Sequence, residues 1–302
     1  MDHLLHAIFE PGFFGSAPVH VALLVGGVVA VVCGIVGTFT VMRGQSYAAH
    51  GLGDISATGG SGSFLIGISP LWGFAGFSVM AAGIMDMIGV RRPRGRDLAT
   101  GIVRGAGLGL AALFLYWDTT RTSTTGAPVT ILFGPMFTLD SSIIPAIVAF
   151  SVAAVGIVAV LYRPLLLSSA STELGVVRGV HVRITGALCL AAIGLAVTLS
   201  AMTIGAILST ALIVGPAAAA LRLTSRPGLV MMWSALIGLG ATWLGVLLAY
   251  DSYYWSSSGR AWPVSFFVVT LVMISYLLAQ WLGGRTAARS RNRERAACSP
   301  AS

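Results

Sequence analysis

The sequence has no lysine, few charges of either sign and only three cysteines. The scarcity of charges and of cysteines excludes several classes of protein. Charged residues make up 9% of the 302 positions and hydrophobic residues 56%. A soluble domain cannot cover its surface with so few charges, so the composition predicts a polytopic helical membrane protein. A nucleotide-binding P-loop motif is also missing, so we do not expect the chain itself to hydrolyse ATP.

The cysteines and the first residues exclude further classes. Cys33 and Cys189 fall inside apolar runs and Cys298 lies near the end, so neither a zinc site, a redox pair nor a disulfide is expected. The opening residues MDHLLHAIFEPGFF carry acids and histidines instead of a basic region, which is not the pattern of a signal peptide. The net charge of +8 comes from arginines between apolar runs, which points to membrane topology and not to nucleic acid.

Apolar runs of about 20 residues, the length that crosses a bilayer core, recur along the chain. The run 184–223 is long enough for two spans, divided near residues 202–203 or a little later. We therefore predict an all-α bundle of about nine spans, with a transmembrane domain over 1–284 and a disordered, basic cytoplasmic tail over 285–302. The predicted spans are 19–41, 47–68, 71–90, 98–117, 142–162, the two within 184–223, 229–250 and 261–282.

The arginines give an independent test of this map. With the N-terminus outside, 15 of the 18 arginines fall in cytoplasmic segments. Arg121 and Arg260 fall outside, and Arg104 lies within a span, near enough to its cytoplasmic end to snorkel. The asymmetry favours an N-out, C-in orientation.

The second predicted span contains the main candidate site. Residues 43–67 read RGQSYAAHGLGDISATGGSGSFLIG, which is unusually rich in glycine and serine for a span. His50 and Asp54 are spaced i,i+4, so a helix presents both side chains on one face. Ionisable groups in hydrocarbon are costly unless they face water, a metal or a partner, so we expect this pair to be functional.

Two connecting segments are also candidates. Residues 129–139 are apolar but too short to span, so they lie at, or re-enter from, the outer surface unless they form an ordinary loop. The central cytoplasmic loop 163–183 contains a helix start at Ser171 or Thr172, and a short helix there is suited to dock on another protein. The residues assigned to this docking helix are Ser171, Thr172, Glu173, Leu174, Gly175 and Gly179.

Several sequence fragments, taken in order, resemble the integral-membrane permeases of zinc/manganese-type ABC importers. The resemblance covers roughly residues 9–282 and rests on the order and spacing of the pieces. These pieces are FEPGFF, GTFTVMRG, GSFLIG, DLATGIV, ILFG, TELGVVRGVHVR, ALIVGPAAAALRL and SSGRAWP.

The resemblance implies a permease subunit in the plasma or inner membrane, working as a dimer of like or unlike subunits. It also implies a cytoplasmic ATPase that contacts residues 171–180 as a coupling helix, and an extracellular metal-binding protein. In that family the second span carries an Asp and, four residues later, a His, which bind the transported metal. Here the order is reversed, with His50 at the Asp position and Asp54 at the His position, and Thr58 replaces a proline. One imidazole and one carboxylate suit manganese, zinc or iron as transported ions, and no permanent cofactor is expected.

Other functional classes remain open at the level of sequence. An ion-coupled secondary transporter or channel would use His50 and Asp54 as a proton or ion relay and would need no ATPase. A membrane scaffold would tolerate replacement of the polar residues of the second span. An enzyme is the least favoured class, because the sequence contains no nucleophile–base–acid set and no metalloprotease motif.

Overall fold

The fold was obtained as a computed structural model that describes residues 16–89, 93–121, 126–170, 178, 181–255 and 262–297. Within those ranges the regular structure is helical, which agrees with the predicted all-α class. The helices are α1 (Ala17–Met42), α2 (Ser46–Ile66), α3 (Pro70–Gly89), α4 (Pro93–Arg121), α5 (Ala127–Phe133), α6 (Ile144–Val160), α7 (Tyr162–Ala170), α8 (Val182–Ile204), α9 (Ala206–Leu223), α10 (Pro227–Trp255) and α11 (Val264–Ala297), with a 3₁₀ turn at Ser141–Ile143.

Seven of these helices contain a stretch that is long and apolar enough to cross a membrane. They are α1, α4, α6 (together with the 3₁₀ turn before it), α8, α9, α10 and α11. The other two long helices, α2 and α3, have 21 and 20 residues and coincide with the second and third predicted spans. A helix of 20 residues is about 30 Å long, the thickness of a bilayer core, so length permits both to span. Nine spans and the N-out orientation remain predictions.

The centre of the bundle is formed by α1 and α8. The apolar stretch of α8 is 78% buried and that of α1 is 61% buried, the two largest values among the seven helices. Close packing of α1 depends on glycine: a Cβ added at Gly34 would lie 2.7 Å from the Ala235 backbone of α10, and Gly37 packs against the Ile213 backbone of α9. Small residues at helix crossings let backbones approach and gain dispersion energy, which drives association in lipid.

Two helix breaks have a local cause, and the first lies slightly before the predicted boundary while the second agrees with the prediction. The predicted span 142–162 ends earlier, at Val160, and α7 follows as a separate helix. Pro164 explains this break, because proline has no N–H for the carbonyl of Val160 and its ring clashes with that carbonyl. The predicted division of 184–223 lies at Gly205, whose φ of 97° is a conformation that only glycine adopts without strain.

The last helix is longer than predicted. Helix α11 continues to Ala297 and so includes most of the arginine-rich segment that the sequence analysis assigns to a disordered tail. Alanine and arginine are strong helix formers, which accounts for the continuation beyond the apolar part. The predicted domain boundary at residue 284 therefore falls within one continuous helix.

Residues 129–139 fold into the bundle and do not form a surface loop. The short helix α5 contributes Ile131, which is 1% exposed, and Met136 beyond it is 2% exposed. Gly134, with a φ of 84°, packs against the backbone at residues 203–205, where α8 gives way to α9. The segment is therefore fixed to the break between two long helices.

Candidate functional site

The candidate site is built on α2, a helix made mostly of small residues. Every residue from Gly51 to Ser61 is buried, although glycine, serine and threonine predominate. The hydroxyl groups are satisfied locally: Ser56, Ser61 and Ser63 each donate to a backbone carbonyl three or four residues earlier, at 2.8, 3.0 and 2.8 Å. Such internal hydrogen bonds let a polar helix stay buried without unpaired donors.

Three neighbouring helices surround α2 through close backbone approaches. Gly59 packs directly against Gly73 of α3. A Cβ added at Gly107 of α4 would lie 2.7 Å from the Ile55 side chain, and one added at Gly53 would lie 3.1 Å from Ser209 Oγ of α9. The helix that carries His50 and Asp54 is thus held between α3, α4 and α9.

Asp54 forms an ion pair with Arg104 of α4. Arg104 Nε donates to Asp54 Oδ2 at 2.6 Å, and the two side chains are 33% and 11% exposed. The sequence analysis placed Arg104 near enough to the cytoplasmic end of its span to snorkel, and the structure gives the side chain Asp54 as its partner. A carboxylate on a buried helix requires a compensating charge, and the guanidinium supplies it.

His50 has a different partner from Asp54. Its Nδ1 lies 2.9 Å from Thr210 Oγ1 of α9. When the imidazole donates its Nδ1 proton to this hydroxyl, Nε2 carries the lone pair that a metal needs. The i,i+4 spacing therefore places both groups on α2, but each is oriented by a different neighbouring helix.

Thr58 lies one turn after Asp54 on α2, at the same spacing of four residues that separates His50 from Asp54. Its Oγ1 donates to the backbone carbonyl of Gly107 at 2.7 Å. Residues 50, 54 and 58 thus bear an imidazole, a carboxylate and a hydroxyl, of which the last two bind α4. The hydrogen bond of Thr58 joins α2 to α4 independently of the ion pair.

Helix α4 is the least buried of the seven apolar helices and also the least apolar. Its stretch has a mean hydropathy of 1.3 and is 17% buried, against values of 1.7 or more and 22% or more for the others. Three glycines, at positions 101, 105 and 109, recur at intervals of four. A Cβ at Gly105 or Gly109 would meet no atom within 4 Å, and one at Gly101 would meet only the Tyr47 hydroxyl, at 3.5 Å. A helix of this composition is better suited to a protein partner or an aqueous pathway than to lipid.

The donors on one chain are too few to enclose a metal. Among the described residues, no group of three or more histidine, cysteine or acidic side chains is arranged to hold an ion. His50 and Asp54 supply one nitrogen and one carboxylate, which suit first-row divalent metals. Further ligands must come from water, backbone carbonyls or a second subunit.

The predicted docking helix lies almost entirely outside the described residues, which include only Arg178 of the segment 171–180. The helix before it, α7, contacts the turn that leads into α2. Arg43 Nη1 in this turn donates to Ser168 Oγ at 2.9 Å, and Gly44 beside it has a φ of 65°. The approach to residues 171–180 and the start of the site helix are therefore linked by a hydrogen bond.

Sequence reasoning located His50 and Asp54 but missed their partners. An arginine inside an apolar run was a usable signal for Arg104, because intramembrane charges are usually paired. Thr210 gave no such signal, since a threonine in an apolar helix commonly bonds its own backbone.

Comparison with known proteins identifies the family. A model of the ABC 3 transport family matches residues 18–280. The chain belongs to this family. The resemblance to metal-importer permeases is thereby confirmed, and with seven apolar helices the ABC 3 chain is a multi-pass plasma-membrane protein.

Curated relatives of the ABC 3 chain have names from manganese transport. The manganese transport system membrane protein MntC of Listeria innocua is 24% identical over 246 residues, covering 82% of this chain and 85% of that protein. The manganese import system permease protein ScaB of Streptococcus parasanguinis is 27% identical over 230 residues, covering 76% and 81%.

Two solved structures share the fold of this chain. PsaBC from Streptococcus pneumoniae in complex with Fab matches with a TM-score of 0.74 and 23% identity, over 89% of this chain and 92% of that chain. An inward-facing conformation of a putative metal-chelate type ABC transporter matches with a TM-score of 0.72 and 15% identity, over 89% and 87%.

Proposed function

We propose that the chain is the permease subunit of an ABC importer that carries a divalent transition metal, with manganese as the first candidate and zinc or iron as the alternatives. The observation that carries this proposal is the family match over 18–280, together with relatives named for manganese transport. An imidazole and a carboxylate on one buried helix agree with such a cargo, because both are ligands of manganese, zinc and iron.

The proposed pathway runs beside α2 and α4, and His50 and Asp54 are its metal ligands. Transport requires binding strong enough to remove some water from the ion and weak enough to release it. Two protein donors per chain, supplemented by water, meet that requirement better than a closed site would.

The proposed working form is a dimer. Two donors per subunit leave room for donors from a second copy, and the exposed glycine face of α4 offers a surface for one. Glycines spaced by four on a membrane helix permit close approach of another helix.

A separate ATPase is proposed to dock at residues 171–180, and an external metal-binding protein is proposed to deliver the ion on the opposite side. The Arg43–Ser168 hydrogen bond supports this arrangement, because it joins α7 to the turn before α2. The proposed topology has nine spans with the N-terminus outside. Labelling of Arg94→Cys by an impermeant reagent from outside would contradict it.

The test of the cargo is uptake of radiolabelled Mn²⁺ and Zn²⁺ in cells that express each variant at matched membrane levels. Asp54→Asn removes the charge and keeps the shape, and we expect it to reduce uptake more than His50→Ala. His20→Ala and Asp86→Asn serve as controls, since they remove the same residue types from α1 and α3. Wild-type uptake of both metals in the His50→Ala, Asp54→Asn double variant would contradict the metal-ligand roles.

An ion-coupled transporter is a second candidate, favoured by the Asp54–Arg104 pair, because paired charges inside membrane helices also serve proton relays. Uptake after ATP depletion separates the two. An ABC importer loses uptake, whereas an ion-coupled carrier continues as long as an ion gradient is maintained.

A further inference from the structure

The Asp54–Arg104 ion pair occupies one of the two carboxylate oxygens through which Asp54 could bind a metal. Oδ2 of Asp54 accepts a hydrogen bond from Arg104 Nε at 2.6 Å, which is short even for a charge-assisted bond. An arginine guanidinium keeps its proton under all physiological conditions, so the pair has no net charge. A divalent cation that approaches this oxygen meets a positive charge that is already in place.

We propose that Arg104 is the resident counter-cation of the pathway, which neutralises Asp54 between transport events and which the transported divalent cation must displace. This inference rests on the proposed function, because it takes Asp54 as a ligand of the cargo. It assigns to Arg104 a role in specificity and release that is separate from holding the fold together.

Electrostatics favours such an exchange, because a metal on either oxygen of Asp54 lies within a few ångströms of the guanidinium. Like charges within a few ångströms repel strongly where the dielectric constant is low, so guanidinium and metal cannot share one carboxylate oxygen. Without Arg104, the carboxylate on this buried helix has no compensating charge within its own chain among the described residues. The arginine therefore stabilises the empty pathway and weakens the filled one.

The surroundings of Arg104 permit it to move. Its side chain is three times as exposed as that of Asp54, at 33% against 11%. Gly101 and Gly105 are neighbouring positions on the same helix and have no side chains, and the space above Gly105 is open to 4 Å. Within its own subunit the guanidinium thus has room along α4, and in the proposed dimer this room lies at the subunit interface.

A purely structural role for Arg104 is less consistent with the other contacts between the two helices. Thr58 donates to the carbonyl of Gly107 at 2.7 Å, and Gly107 packs against Ile55. These contacts already join α2 to α4 one turn away. The ion pair is therefore not the only connection between α2 and α4.

Selection by charge follows from this exchange. A monovalent cation that replaces the guanidinium exchanges one unit of positive charge for another, so it gains little from the carboxylate. A divalent cation carries two units of positive charge, so its attraction to the carboxylate is correspondingly stronger. Arg104 would therefore discriminate against Na⁺ and K⁺ independently of ligand geometry.

The first experiment measures Mn²⁺ binding to the full-length permease, purified with its partner chains, from the electron paramagnetic resonance signal of free Mn²⁺. We expect Arg104→Gln to lower the Kd on the order of tenfold and also to lower the maximal rate of uptake, because release becomes slower. Asp54→Asn combined with Arg104→Gln should lose the gain in affinity. Arg222→Gln, at an exposed arginine of α9, should leave the Kd unchanged.

Because the sequence has no lysine, a second experiment is possible. It does not require the uncharged variant Arg104→Gln to fold. Arg104→Lys keeps the charge and introduces the single side-chain amine of the sequence. Mn²⁺ should increase acetylation of this amine several-fold when it separates the amine from Asp54. In Asp54→Asn, Arg104→Lys, acetylation should not respond to Mn²⁺.

The outcomes separate this inference from the proposed function. If the wild type neither binds nor imports Mn²⁺ or Zn²⁺, both are wrong. If the wild type binds Mn²⁺ but Arg104→Gln binds it no more tightly, and the introduced amine reacts equally with and without Mn²⁺, Arg104 is only a structural partner of Asp54. In that case the proposed function stands and the counter-cation role is overturned.

Discussion

Gly134 and Gly205 lie in contact, each with a positive φ, where the end of α5 meets the break between α8 and α9. Their φ angles of 84° and 97° are strained for any residue with a side chain, and the contact leaves no space for a Cβ on either. The 129–139 segment is joined to the central helices through this pair.

Replacing Gly205 should therefore destabilise the protein without touching the candidate ligands. We expect Gly205→Ala to cost about 2 kcal/mol or more, since backbone strain and the clash with α5 add. Thermal unfolding of the purified protein in detergent measures the effect. Gly83→Ala, on a helix and with open space at its Cβ position, is the control and should change stability by less than about 1 kcal/mol. Equal melting temperatures for the two variants would contradict the role assigned to this contact.

The hydroxyl of Thr210 should matter for transport, although it is not a metal ligand. Thr210→Val removes the partner of His50 Nδ1, so the imidazole is free to rotate or to take the other tautomer. We expect the affinity for transported metal to fall roughly tenfold, as it does for other partners of ligating histidines. Uptake as a function of Mn²⁺ concentration measures this change. Thr210→Ser keeps the hydroxyl and should stay close to wild type, so equal losses in both variants would point to a packing effect.

The glycine face of α4 should govern association between subunits. Gly105→Leu adds a side chain where the chain itself has no atom within 4 Å, so the monomer should fold normally. We expect the dimer fraction to fall, because the added side chain prevents close approach of another helix. Native mass spectrometry from detergent or nanodiscs measures the fraction. Gly83→Leu, at another open helical position, is the matched control, and an unchanged dimer fraction in Gly105→Leu would exclude this face as the interface.

The segment 171–180 should determine coupling to ATP hydrolysis. Glu173→Arg reverses a charge at the predicted start of the docking helix and should abolish metal-stimulated ATPase activity. Membrane expression of the permease should remain normal, because the segment is predicted to connect two spans and not to form part of one. Co-purification of the ATPase together with its stimulated activity is the readout. Persistence of both would show that the docking surface lies elsewhere.

Much of the helical organisation follows from hydropathy and length. The first predicted span, 19–41, corresponds to Ala17–Met42, and the polar second span, 47–68, corresponds to Ser46–Ile66. The second helix is predicted although its own composition is polar, because a span there keeps Arg43 and the arginines between 91 and 96 on the same side of the membrane. The end of the span at Val160 lies two residues before the predicted one, but the separate helix Tyr162–Ala170 was not predicted, since the sequence analysis treats 163–183 as a loop.

The pairings within the site were less predictable than the helices. The i,i+4 spacing placed His50 and Asp54 on one helix, since helical geometry is local. Arg104 is 50 positions from Asp54 and Thr210 is 160 from His50, so their contacts depend on how helices cross. Helix crossing depends on where glycines permit close approach, and that cannot be derived from the periodicity of one helix.

The glycine contacts of α2 have an evolutionary consequence. Where Gly59 meets Gly73, neither position has a smaller residue to which it can change, so a mutation at one cannot be compensated at the other. The path of the α2 backbone is therefore fixed by these glycine contacts and not by its larger side chains. The position of α2 in the bundle is therefore set by its backbone contacts, whereas the side chains at 50 and 54 take their orientation from Thr210 and Arg104.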